Sequence, residues 1–436
     1  MFKTIINAWK IADLRKKMLF TALIVFIFRL GAALPVPFVN ISGGLISDQN
    51  ANNFMTYLSM MTGDAFNYGT LFAMSITPYI NASIIIELLT VAIPALERLA
   101  KEGEEGRKKI STITRYSSVV LALMQSTAYY FYIRSQNYLS LDADGNKFTG
   151  FLLQAITIIF CYTAGASLIM WLGEQINEKG IGNGISIILF AGIVSRMPTT
   201  LYSLYSYMDK GGAYYALAPI AFVSLILMIG FIVWMDNAER RIPVQYAKRV
   251  VGRKMYGGQS THIPIKVNMC GVLPIIFASS ILSLPPTIQM FVTVKEGGFW
   301  AGFFKIFETT HWAYGIMYFV LIIFFAYFYA AIQYNPIEMA NNIRKNSGAI
   351  PGIRPGKPTS DYITKILSRL TLLGALLLSV VALFPLLFSQ ITGAFHHQVN
   401  LSLGGTSIII MVGVALETVK QLESQMMMRH YKGFLD

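Results

Sequence analysis

Apolar residues do not alternate along this chain; they come in ten long runs. The runs lie near residues 18–39, 71–94, 113–134, 151–173, 182–204, 215–235, 268–290, 313–334, 368–389 and 404–420. A helix needs about 20 apolar residues to cross the hydrocarbon of a bilayer. A β-barrel would show short alternating segments instead. Continuous runs of this length predict an all-α polytopic membrane protein with ten transmembrane helices. They divide into an N-terminal half, 18–204, and a C-terminal half, 205–420, each with five spans. An amphipathic cytosolic arm (1–17) precedes them and a short cytosolic tail (421–436) follows. Halves with an odd number of spans are related as inverted repeats, although no internal sequence similarity between them is visible.

Composition agrees with the pattern. Of 436 residues, 54% are hydrophobic and only 13% charged, about half the charged share of a soluble domain. That excludes a soluble enzyme and a disordered chain. The 18–39 run is too long for a signal peptide and lacks a small-residue cleavage site, so it reads as a retained first helix. Cys161 and Cys270 both sit in apolar stretches, with no CxxC pattern. Neither a disulfide framework nor a zinc site follows from them.

Charge orients the bundle. There are 35 Lys and Arg against 22 Asp and Glu, a net of +13. Most cations fall on one side: the arm (Lys3, Lys10, Arg15, Lys16, Lys17), the connection after span 2, the 6–7 loop (236–266), the 8–9 loop (335–367) and the tail. The other side holds few, namely Arg134, Lys147, Arg196, Lys210, Lys295 and Lys305. Basic loops stay inside, so both termini are expected in the cytoplasm.

Some spans are poor lipid-facing helices. Span 2 carries Pro78, Asn81, Ser83 and Glu87; span 7 carries Pro274, Ser279, Ser280, Pro285 and Pro286. Such residues are tolerated at membrane depth only against protein or a water-filled cavity, so spans 2 and 7 should line something. Arg29 lies inside span 1 and is expected to meet backbone carbonyls or to pack beneath the external segment that follows. That segment, 42–68, has no Lys or Arg. It is either an ordinary external loop or a piece of chain folded back into the interior.

No catalytic constellation appears: there is no GxSxG, HExxH or P-loop, and nothing implies a cofactor or an enzyme. A coupled small-solute transporter would bury several carboxylates, and few are present. An intramembrane enzyme would need a nucleophile–base pair or metal ligands at depth. The long 6–7 and 8–9 loops mix cations with Tyr246 and Tyr256. That mixture suits RNA phosphate or an acidic partner surface; lipid head groups are the alternative.

Several stretches carry a resemblance. MWLGEQINEKGIGNGISIILFAGIV (170–194), ERRIPVQYAKR (239–249), QSTHIPIKVNMCGVLPIIFASS (259–280), PGIRPGKPT (351–359) and GGTSIIIMVGVALE (404–417) resemble the SecY/Sec61-alpha family. FRLGAALPVP (28–37), SITPYINASIIIELLT (75–90) and KEGEEGRKKI (101–110) agree, so the resemblance covers nearly the whole chain. Members form the pore of the Sec translocation channel. The resemblance implies two pseudo-symmetric five-helix halves around a central hourglass pore in the bacterial plasma membrane. It implies a passive protein-conducting channel for unfolded secretory polypeptides that also releases transmembrane helices sideways into lipid. Carried over by position, the pore ring is Ile76, Ile80, Ile185, Leu189, Ile276 and Ile410. The lateral gate is Asn81, Thr90, Gln125, Ser279 and Ser280, and a plug lies at about 55–68. The docking residues for SecA and the ribosome are Arg240, Arg241, Arg253, Lys254 and Arg354. SecE-like and SecG-like subunits, signal sequences, nascent polypeptides and the lipid bilayer are the other partners implied.

Overall fold

The computed structural model describes residues 2–41, 44–45, 59, 62–136, 138–139, 147–209, 214–246, 249–251, 254–256, 260–289, 298–307, 311–394 and 405–432. Among these, ten helices coincide with the ten apolar runs. In the N-terminal half they are α2 (Ala12–Ala33), α3 (Thr77–Ala92), α5 (Glu104–Ser135), α6 (Lys147–Lys179) and α7 (Gly184–Asp209). In the C-terminal half they are α8 (Tyr214–Asn237), α9 (Leu273–Gln289), α11 (Trp312–Gln333), α13 (Lys357–Ala394) and α14 (Gly405–Lys432). Four shorter helices connect or precede them: α1 (Phe2–Lys10), α4 (Pro94–Lys101), α10 (Phe299–Ile306) and α12 (Pro336–Lys345). By length and apolarity alone, five of the described helices qualify as membrane spans, and the α3–α4 pair would make a sixth.

Local chemistry sets the breaks. Ile93, before Pro94, is extended (φ −108°, ψ 113°), because a proline ring disfavours the helical region for the residue preceding it. The axis bends by 100° there. Asn335 caps α12, its side chain accepting from the backbone N–H of Ile337 (3.2 Å) and Glu338 (3.3 Å), with Pro336 in the first turn where no donor is needed. The IGNGIS stretch does the same for α7: Asn183 Oδ1 accepts from Ile185 N–H at 3.1 Å, and Asn177 Oδ1 from Gly184 N–H at 2.7 Å.

The two halves pack alike. In the first, α3 packs on α5, α5 on α6 and α6 on α7, while α2 lies against α6 and α7. In the second, α9 packs on α11, α11 on α13 and α13 on α14, while α8 lies against α13 and α14. The order of neighbours is the same, helix for helix. The halves meet where α7 touches α8 and α14. A continuous apolar core runs through both, from Phe28 and Ile169 to Ile322, Leu378 and Ile409. Outward residues such as Leu23, Val120, Leu227 and Val380 are apolar and exposed, as lipid contact requires.

The 6–7 loop is a folded unit. β1 (Glu239–Tyr246) pairs antiparallel with β4 (Ser260–Lys266), and β2 (Arg249–Val251) with β3 (Lys254–Tyr256). β1 also pairs with β5 (Gly348–Ala349) of the 8–9 loop, giving the order β4-β1-β5. Gly348 permits this junction: a Cβ there would stand 3.0 Å from the Tyr246 ring and 3.1 Å from the Ile343 carbonyl.

Candidate pore and cytosolic surface

The six ring positions come from four helices and both halves, and the structure gathers all of them into one apolar cluster. Ile76, Leu189 and Ile410 are almost fully buried, and Ile80, Ile185 and Ile276 half-buried. The backbone explains their placement. Ser75 takes a left-handed turn (φ 48°). The carbonyl of Ile76 then starts α3 by accepting from Tyr79 and Ile80 N–H, both at 3.1 Å. Ile185 lies in the Asn183-capped first turn of α7, one turn before Leu189. On α14, Ile408, Ile409 and Ile410 are all buried, so this helix is enclosed at that level. The six ring side chains offer no hydrogen-bonding group, and a water column through aliphatic side chains is unfavourable.

The segment ahead of α3 is not an exposed loop. Of the expected plug, Ser59 and 62–68 are described, while 55–58, 60 and 61 lie outside the described residues. Ser59, Thr62, Ala65 and Phe66 are buried. Gly63 is left-handed (φ +64°), and a Cβ there would stand 2.7 Å from Arg29 Nη1, 2.8 Å from Ser195 Oγ and 2.9 Å from the Gly192 carbonyl. Arg29 therefore packs beneath this segment, the second of the two settings expected for it. Tyr129 on α5 donates to the Phe66 carbonyl (2.5 Å) and Tyr162 on α6 to the Gly69 carbonyl (2.9 Å).

Arg196, counted among the cations of the external side, lies within α7 and faces the segment ahead of α3. Its Nε sits 3.1 Å from Asp64 Oδ2, with the two side chains 19% and 23% exposed. Its Nη1 donates to Ser59 Oγ at 3.2 Å, and Ser59 Oγ donates to Asp64 Oδ1 at 2.8 Å. Sequence reading missed this cluster; an Asp in an interior-bound segment without basic residues was the available signal.

The gate positions fall on three helices. Asn81 and Thr90 are half-buried on α3, Gln125 half-buried on α5, and Ser279 and Ser280 lie on α9. Thr90 donates to the Ile86 carbonyl (2.7 Å) and Ser279 to the Ile276 carbonyl (2.9 Å), both within their own helices. α3 pairs lengthwise with α5, and α9 with α11, but among the described residues neither pair packs lengthwise against the other. Among the described residues the two halves pack most closely along α7, α8 and α14, and Tyr329 of α11 also comes within electrostatic reach of Glu87 of α3.

Of the docking positions, Arg240 and Arg241 are exposed on β1, and Arg354 is exposed in the turn after β5. Lys254 lies on β3; Arg253 lies outside the described residues. The β4-β1-β5 sheet brings the two loops onto one base, whose core is Ile242, Val244, Ile265, Ile343, Ile350 and Ile363. Sequence reading treated them as separate loops.

Near this face, Glu97 on α4 holds an ion pair with Lys101 at 2.6 Å. The Lys101 hydrogen bond and charge keep its carboxyl below the usual carboxylate range.

Comparison with known proteins places this arrangement. The pattern of the SecY family matches residues 70–419. The chain is 43% identical over 451 residues to a protein of Mycobacterium bovis named protein translocase subunit SecY, each covered in full. Its fold is similar to a SecY structure described by a plug domain that stabilises the closed state of the translocation channel and maintains a membrane seal (TM-score 0.62, 16% identity, 94% of this chain and 92% of that one). It is likewise similar to Sec61 in the canine ribosome-channel complex from the endoplasmic reticulum (TM-score 0.61, 15% identity, 94% and 92% covered). A full-length relative at this identity and a family match over most of the sequence lead to one conclusion: the chain belongs to the SecY family.

Proposed function

We propose that this chain is a passive protein-conducting channel of the plasma membrane, through which unfolded secretory polypeptides cross. The polypeptide path runs through the ring of Ile76, Ile80, Ile185, Leu189, Ile276 and Ile410. The observation that carries this reading is the convergence of those six residues, from both halves, on one apolar cluster. An aliphatic ring blocks ions when closed and carries no sequence code, so it tolerates any passing side chain. The seam between α3/α5 and α9/α11 is the exit by which apolar helices reach lipid, with Asn81, Thr90, Gln125, Ser279 and Ser280 along it. The plug is the segment at about 55–68, of which Ser59, Thr62, Ala65 and Phe66 are buried.

Energy comes from partners. The exposed Arg240, Arg241 and Arg354, with Arg253 and Lys254 of the same loop, form the docking surface for the ribosome and for SecA. SecE-like and SecG-like subunits complete the assembly. The excess of basic residues on the docking side supports cytoplasmic termini.

The test is crosslinking of a stalled secretory precursor to Ile76→Cys, Ile276→Cys or Ile410→Cys in a chain lacking Cys161 and Cys270. Leu227→Cys and Val380→Cys, on outer faces, are the controls. Adducts at the ring with silent controls are expected. Adducts only at the outer faces would overturn the reading and favour a small-solute transporter. Separately, Arg354→Glu is expected to reduce SecA-driven transport about ten-fold or more while folding is unchanged, as loss of a charged contact in an interface does.

A further inference from the structure

We propose that Asp64, gripped by Arg196 of α7 and by Ser59, is a latch that fixes the 62–69 segment in its closed place, and that Tyr129 and Tyr162 form the hinge about which it swings. The proposal rests on the channel reading above, in which this segment is the plug.

The segment's anchors divide into two kinds. At the Phe66–Gly69 end they are aromatic and dry. Phe66 and Tyr129 pack at a tilt with centroids 4.6 Å apart, and Tyr129 meets Tyr162 edge-on at 5.1 Å. The two hydroxyls serve the Phe66 and Gly69 carbonyls. Phe66, Tyr129 and Tyr162 are all buried. Pulling this end loose would leave buried carbonyls without donors, which is costly.

At the Ser59–Asp64 end the anchors are ionic and partly wet. Asp64 holds a left-handed backbone (φ 71°), a geometry that non-glycine residues adopt at some cost. Its carboxylate meets Arg196 at 3.1 Å and Ser59 at 2.8 Å. Arg196 and Asp64 keep 19% and 23% of their side chains exposed, so water can replace each partner as they part. Arg29 stands under Gly63 and attracts the same carboxylate. All these anchors, on α2, α5, α6 and α7, belong to the N-terminal half. Separation of the halves therefore carries the plug with one half, and release needs only the ionic end to open.

Arg196 and Asp64 act as positioning residues, and the measurement is the idle ion conductance of the full chain with its small membrane partner in proteoliposomes. Precursor translocation is followed in the same vesicles. Asp64→Asn and Arg196→Gln are each expected to raise the idle leak about three- to ten-fold, as for a half-buried ion pair. The double variant should leak no more than either single one. Arg196→Lys should restore part of the seal, because it keeps the cation that Asp64 meets. Precursors with weaker signal sequences should pass more readily in the leaky variants. An unchanged leak in both single variants, with translocation intact, would overturn the latch and leave the channel reading standing. Additive leaks with no rescue by Arg196→Lys would assign the effect to packing and also overturn it. Wild-type vesicles that translocate no precursor would instead count against the channel reading.

Discussion

The two halves share one scaffold and use it in opposite directions. Helix for helix their neighbours correspond, and each places an eight-residue helix between its second and third span: α4 in one, α10 in the other. Five spans per half put these two helices on opposite faces of the membrane. α4 carries Glu97, Arg98 and Lys101, whereas α10 carries Phe299, Trp300, Phe303 and Phe304. The connection after the first span differs as strongly. In the first half it folds inward and is buried against Arg29, Tyr129, Tyr162 and Arg196. In the second it folds outward as β1–β4 with Arg240 and Arg241 exposed. Packing order is thus kept while surface chemistry follows the solvent on each face. That is why the repeat is plain in the contacts and invisible in the residues.

The outward connection is open to the largest disruption. Val244 is fully buried beneath the sheet, and Val244→Asp should cost about 3 kcal/mol or more by placing an unpaired charge there. Faster limited proteolysis within 239–266 and lost partner docking, with the helical bundle intact, would separate the two regions. Equal loss of the whole bundle would show that the halves do not differ in this way.

The inward connection is tested next. Gly63→Val adds bulk against Arg29, Ser195 and the Gly192 carbonyl. Overpacking of about 1–3 kcal/mol corresponds to about a 5- to 150-fold rise in the open population, read as idle conductance. Tyr129→Phe removes one donor to a buried carbonyl and should loosen the hinge by about 1 kcal/mol, about a five-fold effect.

The smallest effect belongs to α4. The Glu97 carboxyl titrates below its ordinary range because of Lys101. Its contribution is therefore present above the ordinary carboxylate pKa and is lost as pH falls through the lowered value. An exposed pair of this kind contributes little, so Glu97→Gln should leave Tm unchanged at neutral and acid pH. A clear drop at neutral pH would make α4 a docked structural element.

Legibility in the sequence followed the range of the interaction. The ten apolar runs, the Pro94 bend and the Asn335 cap depend on neighbours a few residues apart. The ring positions were readable only through resemblance: Ile408, Ile409 and Ile410 are equally apolar, and all three are buried. The polar residues of spans 2 and 7 suggested a lining role, yet Thr90 and Ser279 direct hydroxyls to their own helices. The partners of Arg196, Asp64 and Ser59, were not readable, because a count of cations says nothing of which way a side chain turns.

Hydropathy summed over a helix length, and the unequal distribution of Lys and Arg, determined by themselves a helical membrane protein with a basic face. Both are local sums, complete before any folding. The gathering of the six aliphatic positions, the shared sheet of the 6–7 and 8–9 loops and the Asp64–Arg196 pair were decided only by tertiary structure. Each is a contact between distant residues; Ser59 and Arg196 stand 137 positions apart. Apolar helices have no preferred partner until packing selects one, and a buried charge finds its counter-charge only after that choice is made.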